Sequence, residues 1–332
     1  MDVAGLVLSL AIILFSCELF TNGIEWLGKK LKVGDGVVGS ILSAVGTCLP
    51  ETAIPVIAIL FSGNMEKSVD ISIGAIIGAP FMLGTLAFFI TGASVLVFSK
   101  KRKTGFVIDV NAGILRRDLS FFILIYSIGI ATTFLGYTKI KAIIAVFLIA
   151  CYCCYIVLTI RSDRVNSTRL EKLYIIRCFN IKSCKVAILM QVIIALAGIV
   201  IGAELFIRNV GNISRIIGMS ALTLSLIATP IATELPEKFN SVIWISKRKD
   251  TIALGNITGA MVFQSCIPVS IGILATTWQL DLMAMVSAAL VILSSSFILL
   301  WVKIRGKLSL FPLLTGGFFY LMFIAYVIAS GH

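Results

Sequence analysis

The stretch from Gly46 to Glu51 has the sequence Gly-Thr-Cys-Leu-Pro-Glu, and it returns at Ala232 to Glu237 as Ala-Thr-Glu-Leu-Pro-Glu. The two stretches lie 186 residues apart. The tripeptide Glu-Leu-Phe at 18–20 returns at 204–206 with the same separation. Two matches in the same order at one spacing indicate an internal duplication of the chain.

A third match supports the duplication. The glycine-flanked segment Gly-Ala-Ile-Ile-Gly-Ala at 74–79 corresponds to Gly-Asn-Ile-Thr-Gly-Ala at 255–260. We therefore predict a first repeat at 1–160, a basic linker at 161–184, and a second repeat at 185–332.

The composition excludes an ordinary soluble protein. Of 332 residues, 59% are hydrophobic and only 13% are charged, and the mean hydropathy is +1.06. Apolar runs long enough to cross a ~30 Å hydrocarbon core recur from end to end. The sequence predicts an all-α polytopic membrane protein. Its ten predicted spans are 3–28, 36–63, 69–98, 119–137, 140–160, 185–208, 214–246, 250–276, 281–302 and 308–330.

The basic residues predict how the chain crosses the membrane. Of the 28 lysines and arginines, 22 fall in one set of alternate loops, which includes the linker 161–184, and five fall in the other set. Cytoplasmic loops are enriched in these residues. We therefore expect a multi-pass protein of the cell membrane with a cytoplasmic linker and both termini outside. The same pattern explains the net charge of +12 without nucleic acid as a partner.

The number of spans in each half predicts an inverted repeat. Each half carries five spans, and because five is odd, the second copy enters the membrane from the opposite side. Inverted five-helix repeats occur in secondary transporters, where substrate sites lie near the bilayer midplane at helices interrupted by Gly or Pro.

Glu51 and Glu237 are the sharpest candidates for a functional site. Each follows Leu-Pro in the middle of a long span, and a carboxylate at membrane depth is costly and usually functional. Proline removes a backbone donor, so carbonyls of the preceding turn become available to an ion. The further candidate ligands in the two copies are the hydroxyls of Thr47 and Thr233 and the carbonyls of Ala44 and Pro230.

This set consists of oxygen ligands, which suit Ca²⁺, Na⁺ or Mg²⁺ rather than soft metals. The alternative interpretation is a proline kink whose glutamates are satisfied by helix contacts, but two copies in register favour an ion site. The glycines of 74–79 and 255–260 predict close packing against the glutamate-bearing helices. One turn further on, Gln264 is predicted to face the same site, and Leu83 or Thr85 corresponds to it in the first copy.

The pattern argues against an enzyme. The only histidine is His332, the last residue, and the sequence predicts no aspartate at membrane depth. An intramembrane hydrolase needs a nucleophile with a base, a metal triad or two aspartates, and we expect none of these. No cofactor is expected, because the ions would be transported.

The paired motifs resemble the two alpha-repeats of the sodium/calcium exchanger (cation/Ca²⁺ antiporter) superfamily, whose usual pattern is Gly-Thr-Ser-Leu-Pro-Glu followed by Gly-Asn-x-x-Gly-Ser. The resemblance covers essentially the whole chain, in the manner of the ten-helix prokaryotic members, with motif regions at 39–84 and 218–265. It implies alternating access and a midplane site for which Ca²⁺ and Na⁺ compete. Carried over by position, Glu51 and Glu237 would be the principal ligands, with support from Thr47, Thr233, Gln264 and the carbonyls of Ala44 and Pro230.

The chain also departs from that pattern. Cys48 and Glu234 stand in place of the two motif serines, and Ala79 and Ala260 stand where serines would ligate. The site thus loses neutral oxygens, on which Na⁺ relies, and gains a carboxylate. Crowded buried carboxylates favour protonation, so Glu234 is a candidate to carry a proton or to bind the ion.

Three functions follow from these residues. The first is exchange of Ca²⁺ for Na⁺, and the second is the same fold coupled to H⁺ or carrying another divalent cation. The third, from a different class, is a passive cation channel. The partners we expect are inorganic cations and the lipid bilayer. A monomer is compatible with the sequence, which leaves the oligomeric state open.

Overall fold

The computed structural model of the chain describes residues 2–30, 48–61, 65–102, 105–162, 185–246, 248 and 250–330. Within them the fold is all-α, with one short pair of strands. The helices are α1 (Asp2–Lys30), α2 (Leu49–Phe61), α3 (Met65–Met82), α4 (Phe88–Phe98), α5 (Ala112–Ala131), α6 (Thr138–Ser162), α7 (Lys185–Ile217), α8 (Ala221–Ser246), α9 (Asp250–Ala275), α10 (Leu282–Arg305) and α11 (Leu310–Ala329).

These helices fit the ten predicted spans. A π turn, Leu83–Ala87, joins α3 to α4 without a break, so that both belong to the third span. Among the described residues, six helical stretches are long and apolar enough to cross a membrane: Ser68–Phe98, Thr138–Thr159, Val186–Ile217, Ala253–Ala275, Leu282–Arg305 and Leu310–Ala329. Helices α1, α5 and α8 overlap with the first, fourth and seventh spans, and α2 overlaps with the second half of the second span, whose residues 36–47 lie outside the described residues. The chain is therefore an all-α polytopic membrane protein.

The boundary between the sixth and seventh spans differs from the prediction. Helix α7 continues to Ile217, whereas the sequence predicted an end at 208 and a new span from 214. Gly218 ends α7 with a φ of 77°, a conformation that favours glycine, and its N–H donates to the carbonyl of Ser214. The hydroxyl of Ser220 then accepts from the N–H of Thr223 and caps α8.

The start of α5 also differs, and this difference bears on function. The predicted span began at 119, but the helix begins at Ala112, because the side chain of Asn111 accepts hydrogen bonds from the N–H groups of Gly113 and Ile114. As a result Asp118 lies within α5, where its side chain is buried. The predicted span left Asp118 outside, so the burial of this aspartate within a helix was not expected.

Two helix pairs hold the halves of the chain together. Helix α1 packs along α7, with Gly198 against Ser16 and Gly202 against Ile13. Helix α3 packs along α8. Small residues at four-residue spacing allow such close approach in membranes. Helix α9 packs against α5, α6, α3 and α8, and thus occupies the centre of the larger buried cluster.

The connections between helices fall on two faces of the bundle. Strand β1 (Val107–Ile108) pairs antiparallel with β2 (Leu308–Ser309), and Arg102 forms a buried ion pair with Asp250 at the start of α9. These contacts bring together the loops after the third, seventh and ninth spans. On the opposite face the ammonium of Lys141, in the first turn of α6, donates to the carbonyl of Thr277. This grouping agrees with the predicted alternation of loops.

Candidate ion site at the two Leu-Pro-Glu motifs

Glu51 lies in the first turn of α2, and its side chain is only 1% exposed. Helix α2 begins at Leu49, inside the predicted second span, so that Pro50 occupies the first turn, where a missing N–H breaks no intrahelical bond. The carbonyl of Cys48 accepts from both the N–H and the hydroxyl of Thr52. The helix N-terminus favours a negative charge at this position. Thr47 and Ala44 lie outside the described residues.

The second motif lies within a continuous helix. Helix α8 runs from Ala221 to Ser246 through both of its prolines. Thr233 is fully buried, and its hydroxyl donates to the carbonyl of Thr229 at 2.9 Å, which leaves the oxygen lone pairs available to a cation. Glu234 is 2% exposed. Glu237 belongs to α8, but its side chain lies outside the described set.

Pro230 lies where α8 meets α3. A β-carbon built on Gly78 of α3 would overlap with the carbonyl oxygen of Leu226 and come within 2.8 Å of the Pro230 ring. Because Pro230 has no N–H, that carbonyl lacks its usual donor four residues on. One turn earlier, Gly74 packs in the same way on the carbonyl of Leu222. The predicted close packing of the first glycine segment is thus confirmed.

The second glycine segment behaves differently. A β-carbon on Gly255 would meet no described atom within 4 Å, and the nearest atom to one on Gly259 is the Tyr155 hydroxyl at 3.9 Å. Close packing is therefore absent here among the described residues. The counterpart expected from the repeat, the part of the second span before α2, lies in 31–47, outside them.

Gln264 is the clearest polar candidate in the described part of the site. Its side chain is fully buried on α9, and neither its amide nitrogen nor its carbonyl oxygen has a hydrogen-bond partner among the described residues. A buried carboxamide without partners is costly, so such a group points to a ligand. In the first copy, Leu83 and Thr85 lie in the π turn, and the hydroxyl of Thr85 already donates to the carbonyl of Phe81.

The helices that carry these groups are neighbours: α8 packs against α2, α3 and α9, and α9 packs against α2. Three neighbouring helices therefore each carry buried polar groups. Within the described residues no three His, Cys, Asp or Glu side chains form a metal cluster. Three members of the predicted set, the Glu237 side chain, Thr47 and Ala44, lie outside those residues. The repeated tripeptide Glu-Leu-Phe at 18–20 and 204–206 does not add Glu204 to these buried polar groups, because Glu204 is exposed and paired with Arg208.

Asp118 is the buried charged group that the sequence did not reveal. Its carboxylate accepts hydrogen bonds from Thr258 on α9 at 2.8 Å, from the hydroxyl of Tyr155 on α6 at 3.1 Å, and from Arg117 at 3.0 Å. The Arg117 guanidinium also lies over the Tyr155 ring, 5.3 Å from its centroid. The sequence offered one clue, Asn111 followed by Ala112 and Gly113, which is a helix start seven residues before Asp118.

Comparison with known proteins identifies the family. The model of the sodium/calcium exchanger protein family matches residues 1–161 and again 187–331. The chain belongs to this family. It is therefore an exchanger-type antiporter of the Na⁺/Ca²⁺ or H⁺/Ca²⁺ kind, a membrane transporter rather than a classical enzyme, and its substrates are inorganic cations.

Individual relatives agree with the family. The inner membrane protein YrbG of Escherichia coli (strain K12) is 24% identical over 283 residues, which cover 85% of this exchanger and 82% of YrbG. Among solved structures, the H⁺/Ca²⁺ exchanger CAX superposes with a TM-score of 0.75 at 15% identity, covering 99% of this chain and 86% of CAX. The sodium-calcium exchanger NCX_Mj superposes with a TM-score of 0.58 at 21% identity, covering 98% and 97% of the two chains. These similarities show the fold.

Proposed function

We propose that this family member moves Ca²⁺ across the cell membrane in exchange for Na⁺ by alternating access. The observation that carries the proposal is the Gln264 carboxamide, which is fully buried and has no hydrogen-bond partner among the described residues. It lies on a helix that packs against the helices of buried Glu51 and Glu234. Carboxylate and carboxamide oxygens are the ligands that Ca²⁺ prefers.

The proposed ligands divide by charge. Glu51 and Glu237 neutralise the divalent cation as principal ligands, and Glu234 stands beside them as a third carboxylate. The neutral ligands are the Gln264 side chain, the hydroxyls of Thr47 and Thr233, and the carbonyls of Ala44 and Pro230. Alternating access requires that the same ligands face either side of the membrane in turn.

The proposed organisation has two inverted repeats, 1–160 and 185–332, joined by a cytoplasmic linker at 161–184, with both termini outside. The separation of loops onto two faces supports it, because the Arg102–Asp250 pair and the β1–β2 pair join only loops that carry many basic residues. Such loops face the cytoplasm in most membrane proteins. A single chain contains both repeats, so we propose that a monomer suffices for transport.

A second candidate keeps Ca²⁺ as substrate and replaces Na⁺ with H⁺. Glu234 favours it, since this carboxylate is 2% exposed and stands where the family pattern has a serine. A carboxyl that loses its proton when Ca²⁺ binds would couple the two fluxes directly.

The deciding experiment measures uptake of radioactive Ca²⁺ into proteoliposomes under an outward Na⁺ gradient, an outward H⁺ gradient, and neither. Uptake driven by Na⁺ supports the first candidate, and uptake driven only by H⁺ supports the second. Uptake that needs neither gradient indicates a channel and contradicts exchange. Absence of Ca²⁺ uptake under all three conditions contradicts Ca²⁺ as the substrate, and the same gradients would then be tested with other divalent cations.

A further inference from the structure

The carboxylate of Asp118 joins three helices that meet away from the Leu-Pro-Glu motifs. It is 2% exposed, and its two oxygens accept from Thr258 on α9, Tyr155 on α6 and Arg117 on its own helix, α5. Hydrogen bonds to an ionised acceptor are about twice as strong as neutral ones. This interaction is therefore the strongest polar link described between α9 and the α5–α6 pair.

The link lies near one face of the bundle. Asp118 follows the first residue of α5 by six positions, and Thr258 follows the first residue of α9 by eight. At 1.5 Å per residue these positions are about 9 and 12 Å inside the helix starts. Both helices start at the face that carries the Arg102–Asp250 pair, which is the predicted cytoplasmic face. Along α9, Thr258 precedes Gln264 by six residues, or about 9 Å.

Two glycines of α9 make no close contacts with described residues at this level. Gly255 and Gly259 flank Thr258, and a β-carbon on either would meet no described atom closer than the Tyr155 hydroxyl at 3.9 Å. On α3, by contrast, Gly74 and Gly78 press directly on the α8 backbone. The hydrogen bonds of Asp118 therefore link α9 to α5 and α6 beside two glycines that make no close contacts of their own with the described residues.

We propose that Asp118 is a positioning residue for ion exchange: its carboxylate holds the Thr258 segment of α9 against α5 and α6, and thereby places Gln264 in the ion site. The placement of Gln264 in an ion site rests on the proposed function. The contact between Asp118 and Thr258 rests only on the geometry of the described residues. Loss of the negative charge would release this segment of α9, because a neutral group accepts weaker hydrogen bonds from Thr258 and Tyr155.

Few charged or titratable side chains of the described residues surround Asp118. Arg117 contacts it from α5 and is 22% exposed at its side chain, which gives the network a contact with solvent. Tyr155 contacts it from α6, and α9 contributes the hydroxyl of Thr258. Helix α10 also packs on α5, but its basic residues Lys303 and Arg305 are exposed. Acidification should therefore act on the Asp118 carboxylate within this network.

The first experiment measures hydrogen–deuterium exchange of α9 in the purified full-length chain, expressed as protection relative to intrinsic exchange at each pH. We expect protection of Asp250–Phe263 to fall about tenfold when the wild type is acidified, which corresponds to one hydrogen bond to a charged group. In Asp118→Asn the protection at neutral pH should already match the acidified wild type and stay constant with pH. Asp109→Asn, an exposed change on the same face, should behave as the wild type.

Substitutions on α9 test the same contact from its other end, should Asp118→Asn fail to fold. Thr258→Val removes the donor and keeps the shape, so it should reproduce the loss of protection, whereas Thr258→Ser keeps the hydroxyl and should not. Asp118→Asn and Thr258→Val together should add little to either one alone, because both remove one interaction. Full additivity, or α9 protection equal to the wild type in Thr258→Val, would overturn the inference.

A transport assay separates this inference from the proposed function. We expect Asp118→Asn to lower Ca²⁺ uptake about tenfold at neutral pH and to flatten its dependence on acid, while Ca²⁺ uptake by Asp109→Asn is unchanged. If α9 protection changes as expected but no variant or wild type moves Ca²⁺, the contact stands and the substrate assignment fails. If the wild type exchanges Ca²⁺ and Asp118→Asn has the same pH profile, the positioning role is excluded.

Discussion

The backbone of Gly78 on α3 lies directly against the carbonyl oxygen of Leu226 on α8, so closely that a β-carbon on Gly78 would overlap with that oxygen. The carbonyl is free to be approached because Pro230, four residues on, has no N–H to donate to it. Proline on one helix and glycine on its neighbour therefore act together. They bring α3 to the turn of α8 that leads into Thr233 and Glu234.

This contact predicts the effect of a methyl group. In Gly78→Ala the new β-carbon overlaps with backbone, which cannot give way as a flexible side chain can, so we expect destabilisation of about 2 kcal/mol. The loss should exceed the gain of roughly 1 kcal/mol that alanine brings to a helix. Thermal unfolding in detergent measures it. Gly211→Ala is the control, since a β-carbon there meets no described atom within 4 Å; equal midpoints for the two variants would contradict the packing argument.

The two motif glutamates should be needed for exchange and dispensable for folding. We expect Glu51→Gln and Glu237→Gln each to lower Ca²⁺ uptake by at least about tenfold, because the number of charged ligands tunes the affinity of Ca²⁺ sites over several orders of magnitude. Glutamine keeps the size of glutamate and an oxygen that accepts hydrogen bonds, so we expect both variants to remain folded. Both uptake and midpoint are measured on the same purified protein.

Glu204→Gln serves as the control for this prediction, because it makes the same chemical change at an exposed glutamate that pairs with Arg208. Its Ca²⁺ uptake should equal that of the wild type. Ca²⁺ uptake equal to that of the wild type in both Glu51→Gln and Glu237→Gln would contradict the assignment of the ion site.

Much of this architecture followed from periodic and repeated features of the sequence. Apolar runs place spans because backbone groups in lipid must bond within a helix, and glycines four residues apart marked the face of α3 that meets α8. The burial of Glu51, Thr233, Glu234 and Gln264 agrees with the motif argument. The residues responsible for each of these features are close together in sequence or repeated at one spacing.

The burial of Asp118 could not be predicted from such local features. Hydrophobicity begins at Leu119, and the preceding charged residues hid a helix start that Asn111 determines. Burial of the carboxylate depends on Tyr155 and Thr258, which are 37 and 140 residues away in sequence. The end of α7 was missed for a related reason, since a single glycine with positive φ decides it. Local chemistry could suggest both positions, but tertiary contacts determine their consequences.

The buried pair between Arg102 and Asp250 should contribute strongly to stability. Both side chains are at most 3% exposed, Arg102 also donates to the carbonyl of Ile245 at 3.1 Å, and the N–H of Asp109 donates to Asp250 at 2.9 Å. Arg102→Met leaves a buried carboxylate without its cation, so we expect a loss of about 3–5 kcal/mol. Arg102→Met combined with Asp250→Asn should recover part of that loss. Thermal or denaturant unfolding of Arg102→Met, of Asp250→Asn and of the double variant measures the coupling.

Arg208→Met is the comparison for that pair, because Arg208 forms an exposed ion pair with Glu204. Exposed pairs contribute less than about 1 kcal/mol, so its unfolding midpoint should stay near that of the wild type. A similar midpoint for Arg102→Met and Arg208→Met would show that burial does not strengthen the Arg102–Asp250 interaction.

Glu234 should decide which ion is coupled to Ca²⁺. Glu234→Ser removes a buried carboxylate that can carry a proton and restores the neutral hydroxyl of the family pattern, which suits Na⁺ better. We therefore expect the ratio of Na⁺-driven to H⁺-driven Ca²⁺ uptake to rise by about tenfold, the effect of one charged interaction. The variant is measured in proteoliposomes under each gradient in turn.

The matched control for the coupling ion is Glu204→Ser, which makes the same replacement at the exposed position of the first helix in the second repeat. Its ratio should not change. If Glu234→Ser also keeps the wild-type ratio while Ca²⁺ uptake persists, Glu234 has no part in coupling, and the proton or sodium ion must be carried by the remaining ligands. If Ca²⁺ uptake is lost altogether, Ca²⁺ binding to the purified variant decides the role of Glu234: lost binding identifies a Ca²⁺ ligand, and retained binding identifies a coupling group.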